Sequence, residues 1–168
     1  MVISKYLLDV VPYHHTEEDI TWENCSLRTW FNNDFYMNAF TDRERDYIAL
    51  TTLVNEDNDF ENGLMKWHTE GGNDTQDYVF ALSNFEANTY FNSDEERIAY
   101  GTKYAIEHGL FISTGEWSTG ISYFWLRTPG QISKYAMASG VNGVLFPNGY
   151  TVIGDNVGVR PAMWIELG

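Results

Sequence analysis

A chain of 168 residues with 43% hydrophobic and 16% aromatic content is long enough to bury one sizeable core, and its length predicts a single domain. Its 24 acidic against 10 basic residues give a formal charge of −14, which excludes a nucleic-acid backbone or an anionic membrane surface as partner, since both select clustered Lys and Arg. The single cysteine, Cys25, excludes an internal disulfide and a Cys-rich zinc site, and no run approaches the ~20 apolar residues of a membrane span.

The N-terminal stretch "MVISKYLLDVVPYHH" alternates as a strand does and lacks the continuous apolar run of a signal peptide. As written, the chain is expected in the cytoplasm, or at a cell surface or on a phage if it is part of a longer chain. A helix is predicted from about Ser26 to Phe40, where Leu27, Trp30, Phe31 and Phe35 recur on one face. Three capping boxes, Thr41 with Glu44, Ser83 with Glu86 and Ser93 with Glu96, mark helix starts. "TKYAIEHG" reads as a helical turn or two stopped by Gly109.

From about residue 110 the pattern changes to short runs punctuated by Gly, Asn and Pro. Strands are predicted at 121–127, 135–139, 143–147, 150–153 and 158–166. Asn142-Gly143 reads as a two-residue hairpin turn, with further turns at Pro147-Asn148-Gly149 and Gly154-Asp155-Asn156. The expected class is α+β: helices packed on a twisted antiparallel sheet that the N-terminal strand joins, with 1–110 mainly helical and 111–168 mainly β. Charge divides along the same line. Residues 1–120 hold 7 basic and 22 acidic side chains, residues 121–168 hold 3 and 2, and solvated helix faces account for the excess.

Catalytic patterns are faint. Gly115-Glu-Trp-Ser118-Thr-Gly120 has one residue too many for a nucleophile elbow, and adjacent His14 and His15 would point to opposite faces of an extended chain. Asp57, Asp59 and Glu61 alternate as a calcium loop begins, but the sixth and twelfth positions hold Asn62 and His68. That leaves either a looser calcium site, including Asp74 and Asp77, or two polar loops with Asx turns. "GGNDT" lacks the Lys of a phosphate loop. An enzyme is not expected; one would require two or more of His68, His108, Glu116 and Asp155 to converge in a pocket.

Between Gln131 and Val157 only Lys134 and Asp155 are charged, among Tyr, Ser, Asn and Gly of the kind that make adaptable binding surfaces. The same composition also suits any antiparallel meander.

Four ordered segments, "TWENCSLRTWFNNDFY", "GGNDTQDYVFALS", "FWLRTPG" and "GVRPAMWIEL", resemble an uncharacterised domain family abundant in gut bacteria and their phages. That family resembles the C-type-lectin-like fold in its formylglycine-generating-enzyme branch, which includes the variable proteins of diversity-generating retroelements. The resemblance implies a fixed frame containing Trp125, Arg127, Gly130, Arg160, Pro161 and Trp164. It also implies a displayed patch of Ser133, Tyr135, Met137, Ser139, Phe146, Asn148, Tyr150, Thr151 and Asn156, taking a protein or glycan ligand without a cofactor. The cysteines with which formylglycine-generating enzymes hold copper are not matched by the lone Cys25. Gln131, Lys134 and Met137 are not residues that randomised adenines of an Asn codon encode. Within the frame, Arg127 and Arg160 are expected to be buried and to draw carboxylate or carbonyl partners from the acidic helices, and Pro161 suggests an edge or bulge. The remaining alternatives are an enzyme of that branch and a structural module of a larger surface or phage protein.

Overall fold

The computed structural model describes residues 1–115 and 119–166, so Glu116 and Ser118 lie outside the described residues. The N-terminal segment is extended but broken into β1 (Val2–Ile3), β2 (Tyr6–Leu7) and β3 (Asp9–Val10), each paired with a different strand. Helix α1 (Ser26–Trp30) runs through a π turn at Phe31–Phe35 into α2 (Tyr36–Ala39), and α3 (Asp42–Arg45) follows. Next come β4 (Thr51–Leu53), β5 (Asn58–Glu61), β6 (Lys66–Thr69), β7 (Thr75–Asp77), α4 (Asn84–Tyr90), α5 (Asp94–Arg97), β8 (Tyr100–Gly101) and α6 (Lys103–Glu107). The chain closes with β9 (Phe124–Pro129), β10 (Tyr135–Ser139), β11 (Leu145–Thr151), β12 (Gly158–Val159) and β13 (Ala162–Met163). The class is α+β, although residues 1–110 carry strands as well as the helices expected there.

Five strands form the main sheet in the order β11-β10-β9-β12-β3. It is mixed rather than antiparallel throughout, because β12 lies parallel to β9 while pairing antiparallel with β3. Two-stranded ladders, β1 with β13, β2 with β8, β4 with β7 and β5 with β6, surround it. The region expected as one strand, 158–166, is two short strands interrupted at Pro161, which has no N–H to continue a ladder.

Local chemistry explains the helix starts. Thr41 and Ser83 each accept from the backbone N–H of the Glu three residues on, and that Glu returns the bond to the cap's own N–H. Ser93 makes no such box. Glu96 bonds the backbone N–H of Asn92 instead, one residue upstream of the expected cap.

The core is aromatic, and its polar tips are paired. Tyr13 packs against Trp22 and Trp125 at ring separations of 6.1 and 5.8 Å. The Tyr13 hydroxyl donates to Arg127 O at 2.9 Å, Trp125 Nε1 to Val11 O at 3.0 Å and Trp22 Nε1 to Asp77 Oδ2 at 3.0 Å. Asp77 is wholly buried and also accepts from Arg28 Nε at 2.6 Å, Asn32 Nδ2 at 3.2 Å and Thr75 Oγ1 at 2.8 Å. "TWENCSLR" and "GGNDTQD" are thus two halves of one buried polar network, and Asp77 is a structural anion rather than a calcium ligand.

Arg127 is the second hub. Nε donates to Asn55 Oδ1, Nη1 to Ala81 O and Glu86 Oε2, and Nη2 to Val54 O and Glu86 Oε1, so all five N–H groups are engaged. Asn55 in turn donates to Asn73 O at 2.7 Å, which ties this hub to the "GGNDT" loop. Of the two kinds of partner expected, Arg160 takes the carbonyls. It is buried, donates to Ser4 O at 2.9 Å and Arg97 O at 2.8 Å, and lies over the rings of Phe91 and Phe124, with no carboxylate partner among the described residues. Burial lowers its pKa to about 10, which leaves it a cation at neutral pH.

Candidate functional site

Strand β11 forms one edge of the main sheet and carries four of the nine residues of the expected patch, with three more on the adjoining β10. Its pairing with β10 sets Tyr150 opposite Ala136 and Phe146 opposite Ala138, with a register shift between them. The turn expected at Pro147-Asn148-Gly149 is therefore a bulge inside one continuous strand. Gly149 makes it possible: its φ is +75°, and a Cβ there would lie 2.5 Å from the Ala136 carbonyl oxygen. The preceding turn also differs from the two-residue form. Gly143 N–H bonds Gly140 O and Gly140 N–H bonds Val144 O, which encloses three residues, and only Gly143 takes a positive φ.

Directly opposed residues share a face of the sheet. Phe146 and Tyr150 stand on the face of Ala136 and Ala138, whereas Thr151 opposes Tyr135 on the other. The patch expected from the resemblance is thus divided between two faces. Two of its members are not displayed: Met137 is 1% exposed and Ser139 0%. Part of the reason lies in the segment 57–69, expected as a polar loop or cation site. It is the hairpin β5–β6, with Phe60 stacked on Trp67 at 4.1 Å, and Asn58 Nδ2 ties it to the main sheet through Pro129 O and Pro147 O. Phe60 lines one recess with Met137, Asn84 and Asn88 of α4, and Asp94 and Arg97 of α5, so hairpin and helices together cover the Met137 face. Ser133 is half-buried, while Asn148 and Asn156 are exposed.

What remains outward is an aromatic row. Phe111 stacks on Tyr123 at 5.0 Å, Tyr123 meets Tyr150 at 5.2 Å and Tyr150 meets Phe146 edge-on at 6.1 Å. Phe146 is 36% exposed and Phe111 38%. Burial, the neighbouring Tyr123 and a hydrogen bond to it push the Tyr150 hydroxyl up to about 12, so it stays a neutral phenol. Beside the row, Asn148 Nδ2 donates to Gln131 Oε1 at 3.1 Å, and Asn156 O accepts from Phe111 N–H at 2.9 Å. Stacking rings with amide and hydroxyl groups can hold a ligand but offer no general acid or nucleophile. Phe111 and Tyr123 fall outside 131–157; the helical segments before them obscured their place beside β11.

The frame residues behave unevenly. Trp125, Arg127, Gly130, Arg160 and Pro161 are buried, but Trp164 is 37% exposed and belongs to the surface, since it follows β13 where the ladder ends. The calcium candidates do not fit a cation. Asp57 Oδ1 accepts from Gly71 N–H, Asp59 pairs with His68 and Glu61 with Lys66, each at 2.8 Å, and no group of three His, Cys, Asp or Glu among the described residues could hold a metal. His68 is raised above its usual pKa first by its hydrogen bond to Asp59. His108 stacks on Tyr104 at 3.9 Å, and Asp155 is an exposed bend residue, so each has a separate setting. Cys25 is buried at the start of α1, where its Sγ accepts from Arg28 N–H, and burial pushes the thiol up to about 12.

Fold and surface together define an α+β domain that presents an uncharged aromatic row beside a sheet edge. The chain belongs to the DUF6273 family, a domain of unknown function, whose model matches residues 1–167. No curated protein and no solved structure matches it. Among the described residues no helix is long and apolar enough to cross a membrane.

Proposed function

We propose that this domain is a non-catalytic recognition module that takes a protein or glycan ligand on the Phe111–Tyr123–Tyr150–Phe146 row. The observation that carries the reading is the row itself: four rings joined by three contacts, two of them between residues far apart in the chain, outward on a sheet whose opposite side is covered by α4, α5 and β5–β6. Aromatic faces beside amides recognise sugar rings or apolar side chains, and the buried Arg127 and Asp77 networks hold the platform rigid. The four motifs support a C-type-lectin-like scaffold of the retroelement-diversified kind. On this reading the diversified positions that matter are Phe146, Asn148 and Tyr150 rather than Met137 and Ser139.

Probing a glycan array and a panel of extracellular proteins with the wild type and with Phe146→Ala/Tyr150→Ala tests the reading. Binding to one class of probe that the double variant loses, while its melting remains cooperative, is the expected result. Equal capture by both proteins, or no capture on either panel, contradicts it.

A further inference from the structure

A second concavity, of about 410 Å³, shares no residue with the aromatic row. It lies where β4 and the segment after it face α4, and Phe85, Tyr90 and Trp164 line it together with Glu56, Glu86 and Arg127. Phe85 is 65% and Tyr90 45% exposed. All three rings are partly exposed where they line the cavity, Trp164 at 37%. Such a cluster of exposed rings around a recess is a binding feature rather than scattered surface.

Charge decides what it can take. All five Arg127 donors are engaged, two of them by Glu86, so the guanidinium has none left for an anion and the pair is neutral overall. Glu56 is different. No cation lies within ion-pair distance of it among the described residues, and its Oε2 is shut off from solvent with no hydrogen-bond donor. Glu56 thus lines the cavity without a counter-charge from the described residues. The wall therefore offers one uncompensated negative charge and three aromatic faces. A hard metal ion would need more oxygen ligands than this wall provides, and the described residues contain no cluster that supplies them.

We propose that this cavity binds an organic ammonium cation, with Glu56 as counter-charge and Phe85, Tyr90 and Trp164 as the rings against which the alkylated nitrogen packs. The head group can belong to a free amine or to a modified lysine side chain, and the chemistry is the same.

Calorimetric titration of the full chain with choline, with its neutral isostere 3,3-dimethylbutanol and with a trimethyl-lysine peptide tests it. Choline or the peptide should bind saturably, and at least roughly tenfold more tightly than the isostere, as a desolvated cation–π site requires. Tighter choline assigns the site to a free amine; tighter peptide assigns it to a protein side chain. Glu56→Gln and Trp164→Ala should each weaken the better ligand by roughly tenfold. Trp164, being exposed, provides a variant that folds even if Glu56→Gln does not. Equal affinity for choline, peptide and isostere, undiminished binding in a folded variant, or no saturable heat from any cation overturns the proposal.

Discussion

Asp77→Ala is expected to lower the unfolding free energy by about 3–5 kcal/mol, a large share of the 5–15 kcal/mol typical of a domain. The size follows from what the carboxylate satisfies. Its removal leaves Trp22 Nε1 buried without an acceptor, frees Arg28 Nε and takes the partner from Asn32 and Thr75. Each orphaned buried donor costs about 1–3 kcal/mol. Asp77→Asn keeps the shape and one acceptor oxygen but discards the charge facing Arg28, so its loss should be smaller. Urea denaturation of both variants checks this. Equal stability of Asp77→Ala and wild type would show that the network is dispensable.

Arg127→Ala should cost a similar amount, about 3–5 kcal/mol, because it strips four carbonyl, amide and carboxylate groups of their donor at once and leaves Glu86 without its counter-ion. Arg127→Lys should recover little. An ammonium has three donors radiating from one point and cannot reach Asn55, Ala81, Val54 and both oxygens of Glu86. A double-mutant cycle with Glu86→Gln separates the ion pair from the rest. The coupling should be at least about 1 kcal/mol, since the two side chains share one network. Glu86 also completes the α4 capping box, so Glu86→Gln alone should spare part of the helix start, an amide oxygen still being able to accept from Ser83 N–H. Additive losses in the cycle would contradict the shared role.

Much of this architecture was legible in residue order. The capping boxes at Thr41 and Ser83, the helical run from Ser26 and the β character after residue 110 are local signals, and local hydrogen bonds satisfy them. At Ser93 a helix begins as expected, with Ser93 at its N-cap, but the capping box does not close because Asn92 captures Glu96. The hairpin β5–β6 was missed although Asn62-Gly63 stands between Phe60 and Trp67. Its acidic residues suggested cation ligands, but on a strand they pair across to His68 and Lys66. That omission contributed to the misplacing of Met137 and Ser139: alternation alone displays them, and nothing local in the sequence shows that α4, α5 and the hairpin converge over their face. Arg127 and Arg160 were both expected to meet carboxylates or carbonyls, and Arg127 meets both. Arg160 met carbonyls and rings, because the helix ends near it present Arg97 O rather than an acidic side chain. The cavity beside Trp164 joins residues far apart in the chain and left no periodic trace.

The central claim is that the sheet edge separates a sealed side from a displayed one. The most direct measurement compares the stabilities of Met137→Ala and Phe146→Ala in one denaturation series. Met137→Ala should lose about 2–5 kcal/mol, the cost of truncating a buried methionine. Phe146→Ala, on the open face, should lose well under half as much as Met137→Ala. The opposite ranking would place Phe146 in the core and Met137 on the surface, and would contradict the account.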